Sequence, residues 1–133
     1  MGIIRVGYFD DFKGAPTLLI EVDDEGVGAL ISLLTPLERS DVSVALGQCP
    51  GLLLYGGLSV VADSAGESDA VVALNDRHFV WRHSRAAWAE VIESLRAMRG
   101  AGPCHQFAGS LGAVDVVVAQ GEYGESWWQT HAG

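Results

Sequence analysis

Only two segments of this 133-residue chain have the spacing of an amphipathic helix, and short runs of β-forming residues occupy most of the remainder. In the first segment, apolar residues recur every three or four positions, at Val27, Leu30, Ile31 and Leu34. Asp23 or Asp24 is placed to cap this helix, and Pro36 ends the pattern. The segment predicts a short helix ahead of Pro36.

The second helical segment has the clearer pattern. Ser84 is placed as its N-cap, and Gly100 followed by Pro103 supplies the stop, so the sequence predicts a helix at about Arg85 to Arg99. Its apolar stripe consists of Trp88, Val91, Ile92, Leu95 and Met98. We expect this stripe to pack on a sheet.

The strands are predicted mainly as hairpins. Ile3 to Phe9 and Thr17 to Val22 flank a turn at Asp10 to Gly14, and Ala70 to Leu74 and Phe79 to Arg82 flank the turn Asn75 to His78. Further β-rich runs occur at Val42 to Leu46, Leu58 to Ala62, Cys104 to Phe107 and Val114 to Ala119. Polar or glycine-rich loops are expected at Asp63 to Asp69 and Gly109 to Gly112.

Strand runs on either side of two helices, joined by short turns, favour an α+β fold. We therefore predict a single α+β domain over residues 1–133, with a mostly antiparallel sheet and two helices packed on one face. Residues 124–133 are expected to be a loop or tail. Hydrophobic residues make up 49% of the chain, which is enough for a folded core despite its charge.

The charge is strongly acidic. Seventeen Asp and Glu residues oppose eight Lys and Arg, the net charge is −9, and no Lys or Arg follows Arg99. Such a surface repels nucleic acid and anionic membranes and steers a basic protein partner toward it. With no apolar run of about 20 residues and no signal-peptide pattern at Met1, the expected location is cytoplasmic.

Chemical motifs are few. The glycines form neither GxGxxG nor GxxxxGK, so no cofactor is predicted, and the four histidines lack the spacing of a metal site. Cys49 and Cys104 are expected to be buried thiols. A nucleophilic Cys104 beside His78 or His83, oriented by Asp115, is the enzymatic alternative.

The C-terminal segment offers a candidate partner-binding set: Glu122, Tyr123, Glu125, Trp127 and Trp128. Glu122 and Glu125 are interpreted as solvated carboxylates rather than an acid/base pair. In an extended segment Trp127 and Trp128 would point apart, so one of them would be exposed as an interface anchor. A segment folded back over a sheet edge would give the same pattern.

Several C-terminal motifs resemble those of small bacterial immunity proteins encoded beside polymorphic toxins. They are the run Phe79-Val80-Trp81-Arg82-His83-Ser84, the helix with Trp88, Ile92 and Leu95, the triplet His105-Gln106-Phe107, and the Val-rich strand ending Gly121-Glu122-Tyr123. The resemblance is confined to the C-terminal half. It implies a single-domain cytosolic protein that binds and blocks a toxin and has no catalysis of its own.

Three functions remain open at this point. The leading hypothesis is a protein-binding module, an immunity or antitoxin-like inhibitor that places carboxylates and an aromatic anchor over a toxin's basic cleft. The second is a small enzyme or ligand-binding domain that uses Cys104 and a histidine. The third is a self-associating structural subunit whose acidity maintains solubility.

Overall fold

A computed structural model describes residues 2–64, 70–75, 77–109 and 114–131. Its strands are β1 (Ile4–Phe12), β2 (Ala15–Val22), β3 (Ser43–Ala45), β4 (Leu52–Leu54), β5 (Ser59–Asp63), β6 (Ala70–Ala73), β7 (His78–Arg82), β8 (Cys104–Gly109) and β9 (Asp115–Gln120). Its helices are α1 (Asp24–Leu34), the single turn α2 (Pro36–Arg39), α3 (Arg85–Met98) and α4 (Glu125–His131).

The strands form two sheets. The larger has the order β4-β1-β2-β9-β8, and the smaller has the order β3-β5-β7-β6. The pairs β1–β2, β3–β5, β6–β7 and β8–β9 are antiparallel, whereas β1–β4, β2–β9 and β5–β7 are parallel. The predicted α+β class and single domain are confirmed. The division into two sheets was not predicted, because the parallel pairings join segments distant in sequence.

Both predicted hairpins and both predicted helices are present. The Asp23 side chain accepts the Gly26 N–H at 2.7 Å to cap α1, and the Ser84 hydroxyl accepts the Ala87 N–H at 3.2 Å to cap α3. Pro36 begins α2 directly after α1 rather than ending the helical region, as expected of proline at a first helical position. Residue 76 of the second turn, residues 65–69 of the first predicted loop and 110–112 of the second lie outside the described residues.

One apolar core lies between the two sheets and the three helices α1 to α3. Tyr8 of the larger sheet packs against Phe79 of the smaller, with ring centroids 4.7 Å apart. The Ala108 carbonyl accepts hydrogen bonds from Trp81 Nε1 at 3.0 Å and His83 Nε2 at 2.6 Å. These bonds join β7 and the residue that follows it to β8, so the two sheets are connected by polar as well as apolar contacts.

Trp88 is the main contact of α3 with this core. Its side chain is fully buried, its ring lies 4.7 Å from that of Trp81, and its Nε1 donates to the Asp63 carbonyl at 3.0 Å. The apolar stripe of α3 is buried as predicted.

Replacing Trp88 by Ala should lower the free energy of unfolding by about 3–5 kcal/mol, because it removes a large buried aromatic and leaves the Asp63 carbonyl without this donor. Chemical denaturation monitored by circular dichroism measures the change. Glu90→Ala, on the exposed face of the same helix, is the control and should stay within about 0.5 kcal/mol of the parent. Equal midpoints for Trp88→Ala and the parent would contradict the packing of α3.

Candidate protein-binding face

The larger sheet has a second, outer face that a helix covers. In β2, Leu18, Ile20 and Val22 face the main core, while Leu19 and Glu21 alternate with them and face the other way. All of these residues are buried. The apolar run Leu18-Leu19-Ile20 is typical of a strand covered on both sides.

Helix α4 covers this outer face through Trp128. The indole is fully buried against Leu19, Val117 and Ala119, and it stacks on Tyr55 at 4.9 Å. Its Nε1 donates to the Tyr123 carbonyl at 3.1 Å. The prediction of a loop or tail after residue 124 is therefore wrong for residues 125–131.

One of the two tryptophans is partly exposed, in agreement with the prediction, but the segment is helical rather than extended. In a helix Trp127 and Trp128 are successive positions about 100° apart, so one points into the sheet and the other to the rim. Trp128 is a core residue and presents no surface to a partner. Trp127 is partly exposed and remains available.

Trp127 belongs to an aromatic rim around the buried indole. Its ring centroid lies 4.7 Å from Tyr123, 5.3 Å from Phe9 and 4.4 Å from His131. Phe12 adds an edge contact to Tyr123 at 5.5 Å. Because each ring is held by neighbours, the exposed parts of Tyr123 and Trp127 have fixed positions.

The two predicted carboxylates lie beside this rim. Glu122 precedes Tyr123, and its carboxylate is 3.2 Å from His105 Nδ1. Glu125 is exposed at the start of α4. The structure thus places Glu122, Tyr123, Glu125 and Trp127 within one short turn and the first helical positions that follow it.

Sequence reasoning missed Glu21, which is only 4% exposed beneath this turn. One carboxylate oxygen accepts the Glu122 N–H at 3.2 Å, while the other is buried without a partner in the described part of the chain. Burial raises the pKa of Glu21 from 4.5 to about 7, and the Glu122 charge adds to the rise. Backbone N–H groups of Tyr123, Glu122 and Gly121 act in the opposite direction.

A small cavity of about 90 Å³ lies beside Tyr123. Its lining consists of Phe12, Lys13, Ala15, Thr17, His105, Asp115, Val117, Glu122 and Tyr123. The cavity combines two aromatic rings, two carboxylates, one lysine and one histidine. Lys13 was not recognised in the sequence as part of this site, because it lies far from the C-terminal segment along the chain.

The groups of the enzymatic alternative occupy separate surroundings. Cys104 packs against the main core, whereas the next residue, His105, faces the outer side of the sheet near Glu122.

The two histidines proposed as partners of Cys104 make other contacts. His83 is buried and bonded to the Ala108 carbonyl, and His78 bonds to Asn75 at the turn before β7. Asp115 lines the cavity together with His105.

Cys49 is a buried thiol as predicted, and its burial raises its pKa. Cys104 is only partly buried against the core, so the expectation of a buried thiol is met in full at Cys49 alone. Within the described ranges, no group of three or more His, Cys, Asp or Glu side chains is arranged to hold a metal ion.

No protein-family model, curated protein or solved structure matches this chain. The resemblance to immunity proteins therefore stays a hypothesis carried by the quoted motifs. No helix in the part of the chain that the structure describes is long and apolar enough to span a membrane.

The packing of the Trp128 ring requires a glycine at position 7, in β1. A Cβ added at Gly7 would lie 2.7 Å from the Trp128 ring, so Gly7→Ala should displace the indole and cost about 1–3 kcal/mol of stability. Denaturation and the tryptophan emission maximum report the two effects. Gly124→Ala is the matched control, since no atom lies within 4 Å of its added Cβ. An unshifted emission maximum in a Gly7→Ala protein of parental stability would contradict this packing.

Glu21 should make stability depend on pH. Its folded-state pKa is raised, so its stabilising contribution is complete below about pH 4.5 and is lost as pH rises through about 7. Between pH 5 and pH 8 the parent should lose about 1–3 kcal/mol relative to Glu21→Gln. Urea denaturation across this range measures the difference, with the exposed Glu90→Gln as control. Parallel curves for the parent and Glu21→Gln would show that Glu21 is ionised alike in both states.

Proposed function

We propose that this protein is a non-catalytic binding module, and specifically an immunity-type inhibitor that neutralises a basic toxin domain in the cytoplasm. Its docking face is formed by Glu122, Tyr123, Glu125 and Trp127. The observation that carries this proposal is that two accessible carboxylates and two partly exposed aromatic rings lie together on one turn and the helix start that follows it.

Aromatic residues ringed by polar groups are the usual energetic centres of protein interfaces. Tyr123 and Trp127 are already ordered by their contacts with Phe9, Phe12 and His131. Binding therefore costs these two side chains little further conformational entropy. Pre-ordering of this kind supports a binding role for the rim.

The negative charge of the protein favours a basic partner. A net charge of −9 steers a basic protein toward the molecule, and the carboxylates of the docking face then pair with cationic groups of its basic cleft. Inhibition requires no reaction by the inhibitor. It requires only that the basic cleft be filled.

The decisive test is neutralisation of a cognate toxin. The gene beside the one for this chain identifies the candidate partner, which is expressed alone and together with this protein. The proposal expects growth arrest by the candidate alone, rescue by co-expression, and a stable complex on size-exclusion chromatography. A neighbouring product that is not toxic, or a toxin that forms no complex, would overturn it.

The docking face should control the association rate. Reversing Glu122 and Glu125 to Lys should slow association more than reversing Asp10 and Asp11, and raising salt should slow association of the parent far more than it alters dissociation. Stopped-flow mixing with the partner at several salt concentrations measures both rates.

The two double variants carry the same change of charge and therefore control for net charge. Asp11 accepts the Gly14 N–H at 3.0 Å in the β1–β2 turn, so the folding of Asp10→Lys/Asp11→Lys is checked separately by denaturation. The opposite order of rates, or rates insensitive to salt, would remove Glu122 and Glu125 from the interface.

A further inference from the structure

The cavity beside Tyr123 has the composition of a receptor for a cationic side chain. Phe12 and Tyr123 form aromatic walls whose rings meet edge to face at 67°, and Asp115 and Glu122 bring carboxylates to the same space. Aromatic faces and carboxylates both attract a cation, and the aromatic walls also pack against its apolar stem. A neutral apolar ligand would leave the carboxylates unused.

The chain places its own cation at this cavity. Lys13 lies in the β1–β2 turn with φ of 53°, and its Nζ is 5.6 Å from the centroid of Phe12 and 5.9 Å from that of Tyr123. Contact with the Tyr123 phenolic oxygen is the main cause that raises the pKa of Lys13, and the Glu122 charge adds to it. The lysine shows which chemical group suits the cavity.

Lys13 is nevertheless an exchangeable occupant. It is exposed, and it sits at the tip of a hairpin on a long flexible side chain. If the Lys13 side chain rotates into solvent, both aromatic walls and both carboxylates stay in place. They belong to other elements, namely the end of β1 (Phe12), the start of β9 (Asp115) and the turn before α4 (Glu122 and Tyr123).

We propose that a lysine or arginine side chain of the basic partner enters this cavity, takes the place of the Lys13 ammonium beside the rings of Phe12 and Tyr123, and pairs with Asp115 and Glu122. This inference rests on the proposed function for the identity of the partner, and it adds the group on the partner that is recognised. Arginine suits the site especially well, since its planar guanidinium stacks on aromatic rings and pairs with carboxylates. Lys13 then limits affinity, because it competes for the same space.

A titration with a hexa-arginine peptide tests the cavity without the native partner. Amide chemical shifts of the full-length protein, followed by NMR, locate the site and give the dissociation constant. Lys13→Gln should tighten binding at least threefold, and Asp115→Asn should weaken it at least threefold. The perturbed amides should include those of Lys13, Asp115 and Tyr123.

Matched controls separate the cavity from net charge. Arg39→Gln removes an exposed cation on α2, and Glu90→Gln removes an exposed carboxylate on α3, so each repeats the charge change of one test variant elsewhere. If Arg39→Gln tightens binding as much as Lys13→Gln, or Glu90→Gln weakens it as much as Asp115→Asn, the peptide recognises overall charge and the proposal fails. Denaturation of each variant confirms that the fold is kept.

Spermidine distinguishes the source of the cation. Binding of free spermidine that is tighter than that of the peptide and equally sensitive to Asp115→Asn would assign the cavity to a polyamine and overturn the protein-partner proposal. A positive peptide titration with failed neutralisation would refute the inhibitor function and leave the cation site standing. Neutralisation that is unaffected by Asp115→Asn and Lys13→Gln, with no peptide binding, would refute the cavity alone.

Discussion

Burial of β2 on both faces is the constraint on which the rest of this structure depends. One face of the strand contributes Leu18, Ile20 and Val22 to the core shared by the two sheets, and the other contributes Leu19 to the cluster beneath α4. A strand covered on only one side would not need α4. Because β2 is central in the larger sheet, the candidate docking face lies over a strand that is buried on both sides.

The same arrangement explains why the turn before α4 is fixed. The Glu122 N–H donates to the buried Glu21 carboxylate, and the Tyr123 carbonyl accepts from the buried Trp128 indole. Both backbone contacts lead from exposed residues to buried partners. These two hydrogen bonds to buried groups set the backbone positions of Glu122 and Tyr123. The docking face therefore already has this geometry before any partner binds.

The sequence pattern alone predicted those helices and strands whose apolar residues are regularly spaced. Trp88, Ile92 and Leu95 repeat with the helical period, and the β1–β2 and β6–β7 hairpins have recognisable turns. Helix α4 has no such stripe, since its two tryptophans are adjacent and most of its other residues are polar. Its short length gives it little intrinsic stability, so it forms through the tertiary packing of Trp128 on β2 and β9. Glu21 escaped notice for a related reason, because a carboxylate in an otherwise apolar strand resembles a residue facing solvent until the covering turn is known.

The distribution of charge along the chain differs from its distribution in space. No Lys or Arg follows Arg99 in the sequence, which on its own describes the C-terminal segment as purely acidic. The β1–β2 hairpin returns Lys13 to this segment and sets its ammonium near Phe12 and Tyr123. In the free protein Lys13 lies near both aromatic rings and the Glu122 carboxylate. It also leaves a site whose chemistry is already matched to a cation, so the exchange of one basic side chain for another changes little except which molecule supplies it.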